Sequence, residues 1–222
     1  MPTAIPLISS PISEAWTSWI LLLLLFLAVL ANASQSGVVM SSFSTIFTKP
    51  DRSYTDIQRT GIGQISLHIF QLGTLSFAYY LFAYTYGDFS ISRFGAITLF
   101  LTMIYGLKAL LMWLVQYTFQ LHKTCPNAGA HYTNLVTVLC CVLYPFLLIM
   151  QNAGATSFLK WCVGLIACVF VLLVLYKWCR AYLDSPLTLL YIILSVVTLE
   201  VLPILGAYYG VVFILRQSIV PL

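Results

Sequence analysis

Thr198-Leu199-Glu200-Val201-Leu202-Pro203 stands in the middle of the last long apolar run of the chain, Leu187 to Leu215. A carboxylate at mid-depth in a lipid-spanning helix is costly, so it is normally paired, protonated or turned toward a protein interior or a water-filled cavity. Glu200 therefore needs a partner. The other strongly charged residue so far from any segment end is Lys108, near the centre of the run Phe94 to Phe119. In a six-span arrangement these two runs cross in opposite directions and both charges lie midway, so their depths match and we expect them to face each other. Pro203 removes the hydrogen bond that the Leu199 carbonyl would accept, which predicts a bend beside the charge.

The 222 residues are 61% hydrophobic and only 7% charged, whereas about a quarter of a soluble domain is charged. The chain reads as all-α, a polytopic membrane helix bundle of about six transmembrane helices plus an interfacial amphipathic helix after the first. Residues 1–222 form a single integral-membrane domain, because no connection is long enough for a soluble domain of the usual size, at least about 50 residues. The net charge of +4 is spread over the rims, which argues against nucleic-acid binding. The first fifteen residues carry no Lys or Arg, so the basic start of a secretory signal is missing and the first apolar run is expected to be retained.

Spans are expected at about 16–31, 64–86, 94–119, 132–152, 161–180 and 187–215. Pro145 predicts a second bent helix. Between the first two spans, Val39, Met40, Phe43, Ile46 and Phe47 recur at helical spacing among serines and a threonine until Pro50. The connector 38–60 is thus expected to hold a helix lying in the interface. Arg52, Tyr54 and Arg59 project from it and form a docking surface for a partner or a contact with lipid headgroups. Short cytoplasmic loops carry excess Lys and Arg. Lys49, Arg52, Arg59, Lys123, Lys177 and Arg180 fall on one side, against Arg93, Lys160 and Arg216 on the other. That balance places both termini outside the cytoplasm.

His68 and Gln71, one turn apart, are expected to face the bundle, as are Gln116 and Asn134. His122, Cys125 and His131 lie close together, but a turn separates them and their spacing matches no standard metal site. The six cysteines form no Cys-x-x-Cys pair and read as small buried hydrophobes. No Ser-His-Asp set, His-Glu-x-x-His, glycine-rich phosphate loop or acidic metal cluster is recognisable. We therefore expect no catalytic residue, metal or cofactor. The intramembrane polar centre of Lys108, Glu200 and Pro203 admits three readings: a structural ion pair, a proton or substrate relay gated by the proline, or a contact with a charge on another subunit.

Tyr191 followed by Thr198-Leu199-Glu200-Val201-Leu202-Pro203, Lys108 within Leu107-Lys108-Ala109-Leu110-Leu111, Tyr176-Lys177-x-x-Arg180, and Arg52-Ser53-Tyr54 with Arg59 carry a resemblance. On these residues the chain resembles a bacterial inner-membrane domain family, found in Bacteroidota, to which no function is assigned. Where that family often has a cysteine before the Thr-Leu-Glu element, Val197 stands here, and its central Leu-Pro is Tyr144-Pro145. The resemblance implies an inner-membrane location and supplies no substrate, cofactor or catalytic residue. Taken together, the sequence leads to a non-enzymatic subunit or assembly factor of a larger envelope complex, with protein secretion or motility as a setting. Its partners would be membrane lipid and other integral-membrane subunits. The alternative is a small transporter or proton-coupled protein working through Glu200 and Lys108.

Overall fold

The computed structural model describes residues 15–34, 37–44, 46–47, 61–83, 90–118, 128–153, 157–182 and 200–216. Among them the regular structure is helical throughout: α1 (Ala15–Ser34), α2 (Val38–Ser44), α3 (Gly61–Ala83), α4 (Ile91–Thr118), α5 (Ala128–Ala153), α6 (Ser157–Tyr182) and α7 (Leu202–Arg216). Five of these, α1 and α3 to α6, are long and apolar enough to cross a membrane, and α7 is a shorter apolar helix. The expected sixth span, 187–215, is seen from Glu200 onward; its first part lies outside the described residues. Helix α3 begins three residues before the expected 64, α4 three before 94 and α5 four before 132. Polar residues such as Ser92, Arg93 and His131 there extend a helix beyond its apolar stretch, because backbone hydrogen bonding continues where the hydrophobic pattern has stopped.

Helix α3 is the hub: it packs against α1, α4, α5 and α7. More than half of its apolar window is buried, against about a fifth for α1, α4 and α6. That difference explains its composition. A helix shielded from lipid can carry Ser66, Gln71, Thr74 and Ser76, all buried, where a lipid-facing helix would have to be aliphatic. Helix α6, at the margin, packs mainly on α5 and turns most of its apolar surface outward.

The helix connections are fixed by local chemistry. Gly37 turns the chain between α1 and α2 with φ +86°, a left-handed conformation that costs a glycine little. Its N–H donates to the Asn32 carbonyl, and Asn32 Oδ1 accepts from the Val39 N–H to cap α2. Helix α2 buries Val38 against Ala31 and Leu67 and leaves Met40 exposed, as is Phe47 in the turn that follows, an arrangement that suits an interface-lying segment. Ser42 is also buried there, its hydroxyl satisfied by the Val38 carbonyl at 2.7 Å. The remainder of the expected connector, with Arg52, Tyr54 and Arg59, lies outside the described residues.

At the other end of the bundle, Tyr80 pins the start of α4. Its hydroxyl accepts from the Ser90 N–H at 2.7 Å and donates to the Ser90 carbonyl at 3.1 Å. Tyr80 also packs with Trp16 and Phe94. Helix α5 is continuous through Pro145. Tyr144 beside it donates to the Leu21 carbonyl on α1 at 2.8 Å, and Gln151 donates to Thr17 and Ser18 hydroxyls at 3.1 and 2.6 Å. These bonds tie α5 to α1 at two depths.

Candidate functional site

Helices α4 and α7 pack directly, and α5 closes over them through α3. Lys108 comes from the middle of α4. Glu200 comes from a π-helical turn at Glu200–Val201 that leads into α7. Pro203 follows this turn directly, three residues after the glutamate, so the helical path is widened beside the proline. The wide turn takes up the irregularity expected beside the proline, and wide turns of this kind frequently occur at functional sites.

Lys108 Nζ donates to Glu200 Oε2 at 2.7 Å, and both side chains are almost wholly buried. Tyr132, in the second turn of α5, completes the centre. Its hydroxyl accepts from Lys108 Nζ and donates to Glu200 Oε2 at 3.2 Å. Lysine and phenol, from two helices, thus donate to the same oxygen of a carboxylate from a third segment. The opposite charges lie within a single chain, which removes the need for an external counter-charge.

Two cavities meet at this centre. One, of about 480 Å³, is lined by His68, Gln71, Met112 and Trp113 among others. The second, of about 310 Å³, is lined by Glu200, Pro203, Tyr79, Phe82 and Tyr208 with further apolar residues of α5 and α6. Leu75, Tyr105, Lys108, Tyr132 and Val136 line both. The Lys108–Tyr132 contact therefore stands in the partition between them, and Glu200 faces the second.

His68 and Gln71 do meet, with Nδ1 and Oε1 3.3 Å apart. Gln71 Nε2 donates to the Thr133 carbonyl at 3.0 Å and the Thr137 hydroxyl at 2.8 Å, binding α3 to α5. His68 is largely exposed, so of this pair only Gln71 faces the core. Asn134 is buried in the same turn of α5 but lines neither cavity. Gln116 falls within α4, with its side chain outside the described residues. His122 and Cys125 also lie outside them, and among the described residues no three His, Cys, Asp or Glu side chains cluster as metal ligands.

Tyr132 and Tyr105 carry no direct signal in the sequence that marks them as part of the centre. A tyrosine near a helix end resembles an interfacial anchor, and only the fold turns Tyr132 inward. Tyr79 donates from α3 to the Ile204 carbonyl of α7 at 3.4 Å, just after Pro203. The signal available in sequence was a phenol within one turn of Asn134 in an otherwise apolar run.

Comparison with curated proteins and with solved structures finds no match. Residues 17–211 match the family described as "Domain of unknown function (DUF4271)". That match spans α1 to most of α7 and includes Lys108, Tyr132 and Glu200, so the chain belongs to the DUF4271 family.

Proposed function

We propose that this chain is a multi-pass protein of the bacterial inner membrane, with both termini periplasmic, that passes protons through the Lys108–Tyr132–Glu200 centre and performs no enzymatic chemistry. The observation that carries this reading is the position of that centre in and beside the partition between two cavities. An ionisable residue within the membrane that borders a cavity is a functional group by default. A second support is the geometry at Glu200: both hydrogen bonds fall on Oε2, and among the described residues none falls on Oε1. In this reading that oxygen takes up a proton from the cavity while the other stays held. Tyr132, which both donates and accepts, links the carboxylate to the lysine that borders the first cavity.

The test is proton flux into liposomes holding the purified chain, driven by a potassium diffusion potential and read with an enclosed pH dye. Flux above that of empty liposomes is expected for the wild type and not for Glu200→Gln or the charge-free Lys108→Met/Glu200→Gln pair. Equal flux in all three, or none in the wild type, contradicts the reading.

A second reading is supported by α6. Phe158, Trp161, Leu165, Val169, Leu172 and Tyr176 recur every three to four residues along it and are all exposed. Such a stripe suits the face of another membrane helix, as in a subunit or assembly factor of an envelope complex for secretion or motility. Gentle purification with identification of co-purifying proteins separates the two. A stoichiometric membrane partner supports the subunit reading, and recovery of the chain alone removes it.

A further inference from the structure

The cavity of about 310 Å³ has a sharply divided lining. Leu75, Phe82, Leu143, Val163 and Phe170 supply apolar walls, and the charged groups, Lys108 and Glu200, are gathered with Tyr132. Among the described residues Lys108 uses two of its three N–H groups, on Tyr132 and Glu200. Glu200 Oε1 accepts no hydrogen bond there. One donor and one acceptor are thus left over, in a centre whose formal charges cancel. The mouth is marked by Gly164 of α6 and Leu205 of α7, both lining the cavity and both exposed. Gly164 belongs to a membrane-length apolar helix, so in a bilayer the opening would face hydrocarbon.

We propose that this cavity binds a neutral, hydroxyl-headed single-chain amphiphile that enters sideways from the lipid. One hydroxyl satisfies both free positions: its O–H donates to Glu200 Oε1 and its oxygen accepts from Lys108. A carboxylate head would set a second negative charge beside Glu200, an ammonium a second positive charge beside Lys108, and a plain hydrocarbon would leave both positions unmet. The chain of the amphiphile lies along the apolar walls and leaves between Gly164 and Leu205. This inference rests on the proton-transfer reading and deepens it, since ligand and proton meet at the same carboxylate.

The test uses a hexadecanol carrying a photoreactive diazirine, crosslinked to the full chain in liposomes, with labelled peptides read by mass spectrometry. Labelling is expected on the cavity-facing parts of α6 and α7. Excess hexadecanol should displace it, and hexadecane, which makes neither hydrogen bond, and palmitate, which sets a second negative charge beside Glu200, should each displace it at least about tenfold less well. A Cβ added at Gly164 meets nothing within 4 Å, so Gly164→Leu fills the mouth without disturbing the fold and should lower labelling about tenfold. Gly95→Leu, at an equally open position on α4, should leave it unchanged. Labelling scattered over the lipid-facing surface, equal displacement by palmitate or hexadecane, or an unaffected Gly164→Leu overturns the proposal. Proton flux in the same liposomes keeps the two ideas apart. Flux without site-specific labelling overturns the ligand and leaves proton transfer standing, and specific labelling without flux does the reverse.

Discussion

Lys108 Nζ and Glu200 Oε2 are 2.7 Å apart, although 92 residues separate them in the chain. The pair joins α4 to the segment that opens α7, and both members are withdrawn from the surface. A buried ion pair need not add net stability, because desolvating the charges offsets their attraction. Breaking one is different, since the remaining charge is then buried alone.

Lys108→Met and Glu200→Gln should accordingly each cost about 3 to 5 kcal/mol of stability, and the double variant should recover part of the loss. Thermal unfolding of the purified chain in one detergent checks this. Losses that simply add would contradict direct coupling.

Tyr132→Phe removes the hydroxyl that bridges the pair and keeps the ring. It should lower stability by about 1 to 3 kcal/mol, the cost of leaving polar groups unsatisfied, and should slow proton flux while the chain remains folded. Unchanged flux would exclude the phenol from the path. Thermal unfolding and the liposome assay supply the two readings.

Gln71→Met keeps the volume of a buried side chain and deletes its bonds to Thr133 and Thr137. The Thr137 hydroxyl still donates to the Thr133 carbonyl at 2.9 Å, so the loss should be modest, about 1 kcal/mol. A loss of several kcal/mol would show that Gln71 supports more than the α3–α5 seam.

Two glycines of α7 should respond in opposite directions. A Cβ at Gly210 would lie 2.2 Å from the Phe100 ring, and one at Gly206 meets nothing within 4 Å. Gly210→Ala should destabilise by about 1 to 3 kcal/mol through overpacking. Gly206→Ala should stabilise by about 0.5 to 1 kcal/mol, since alanine favours helix over glycine. Equal shifts in unfolding temperature would contradict the close packing of α4 on α7.

The helical membrane architecture was legible because five long apolar segments impose it with little help from tertiary structure. Depth alone suggested Lys108 and Glu200 as partners, because a charge in hydrocarbon has few ways to be satisfied. Tyr132 was not legible, since a phenol is at home both in the interface and in a core. The hub role of α3 was hidden in the same way. Its serines, threonine and glutamine look like weakness in a span until the neighbouring helices that shield them are known. Pro203 left a readable signal as well, since a proline three residues after a charge reads as an irregularity in a helix, and a π-helical turn stands beside it at Glu200–Val201. The internal pairing also moves the functional reading. A charge satisfied within its own chain gives less reason to look for a partner's.

The central claim is that Glu200 exchanges protons with a cavity rather than serving as a fixed structural anion. Carbodiimide labelling of the chain in membranes addresses it most directly, because the reagent is lipid-soluble and couples to a carboxyl group only through its protonated form. Mass spectrometry should find the adduct on Glu200, and labelled protein should lose proton flux in liposomes. An unlabelled Glu200, with flux unaffected by the reagent, would show a permanently ionised and sealed pair, and the proton-transfer account would fail.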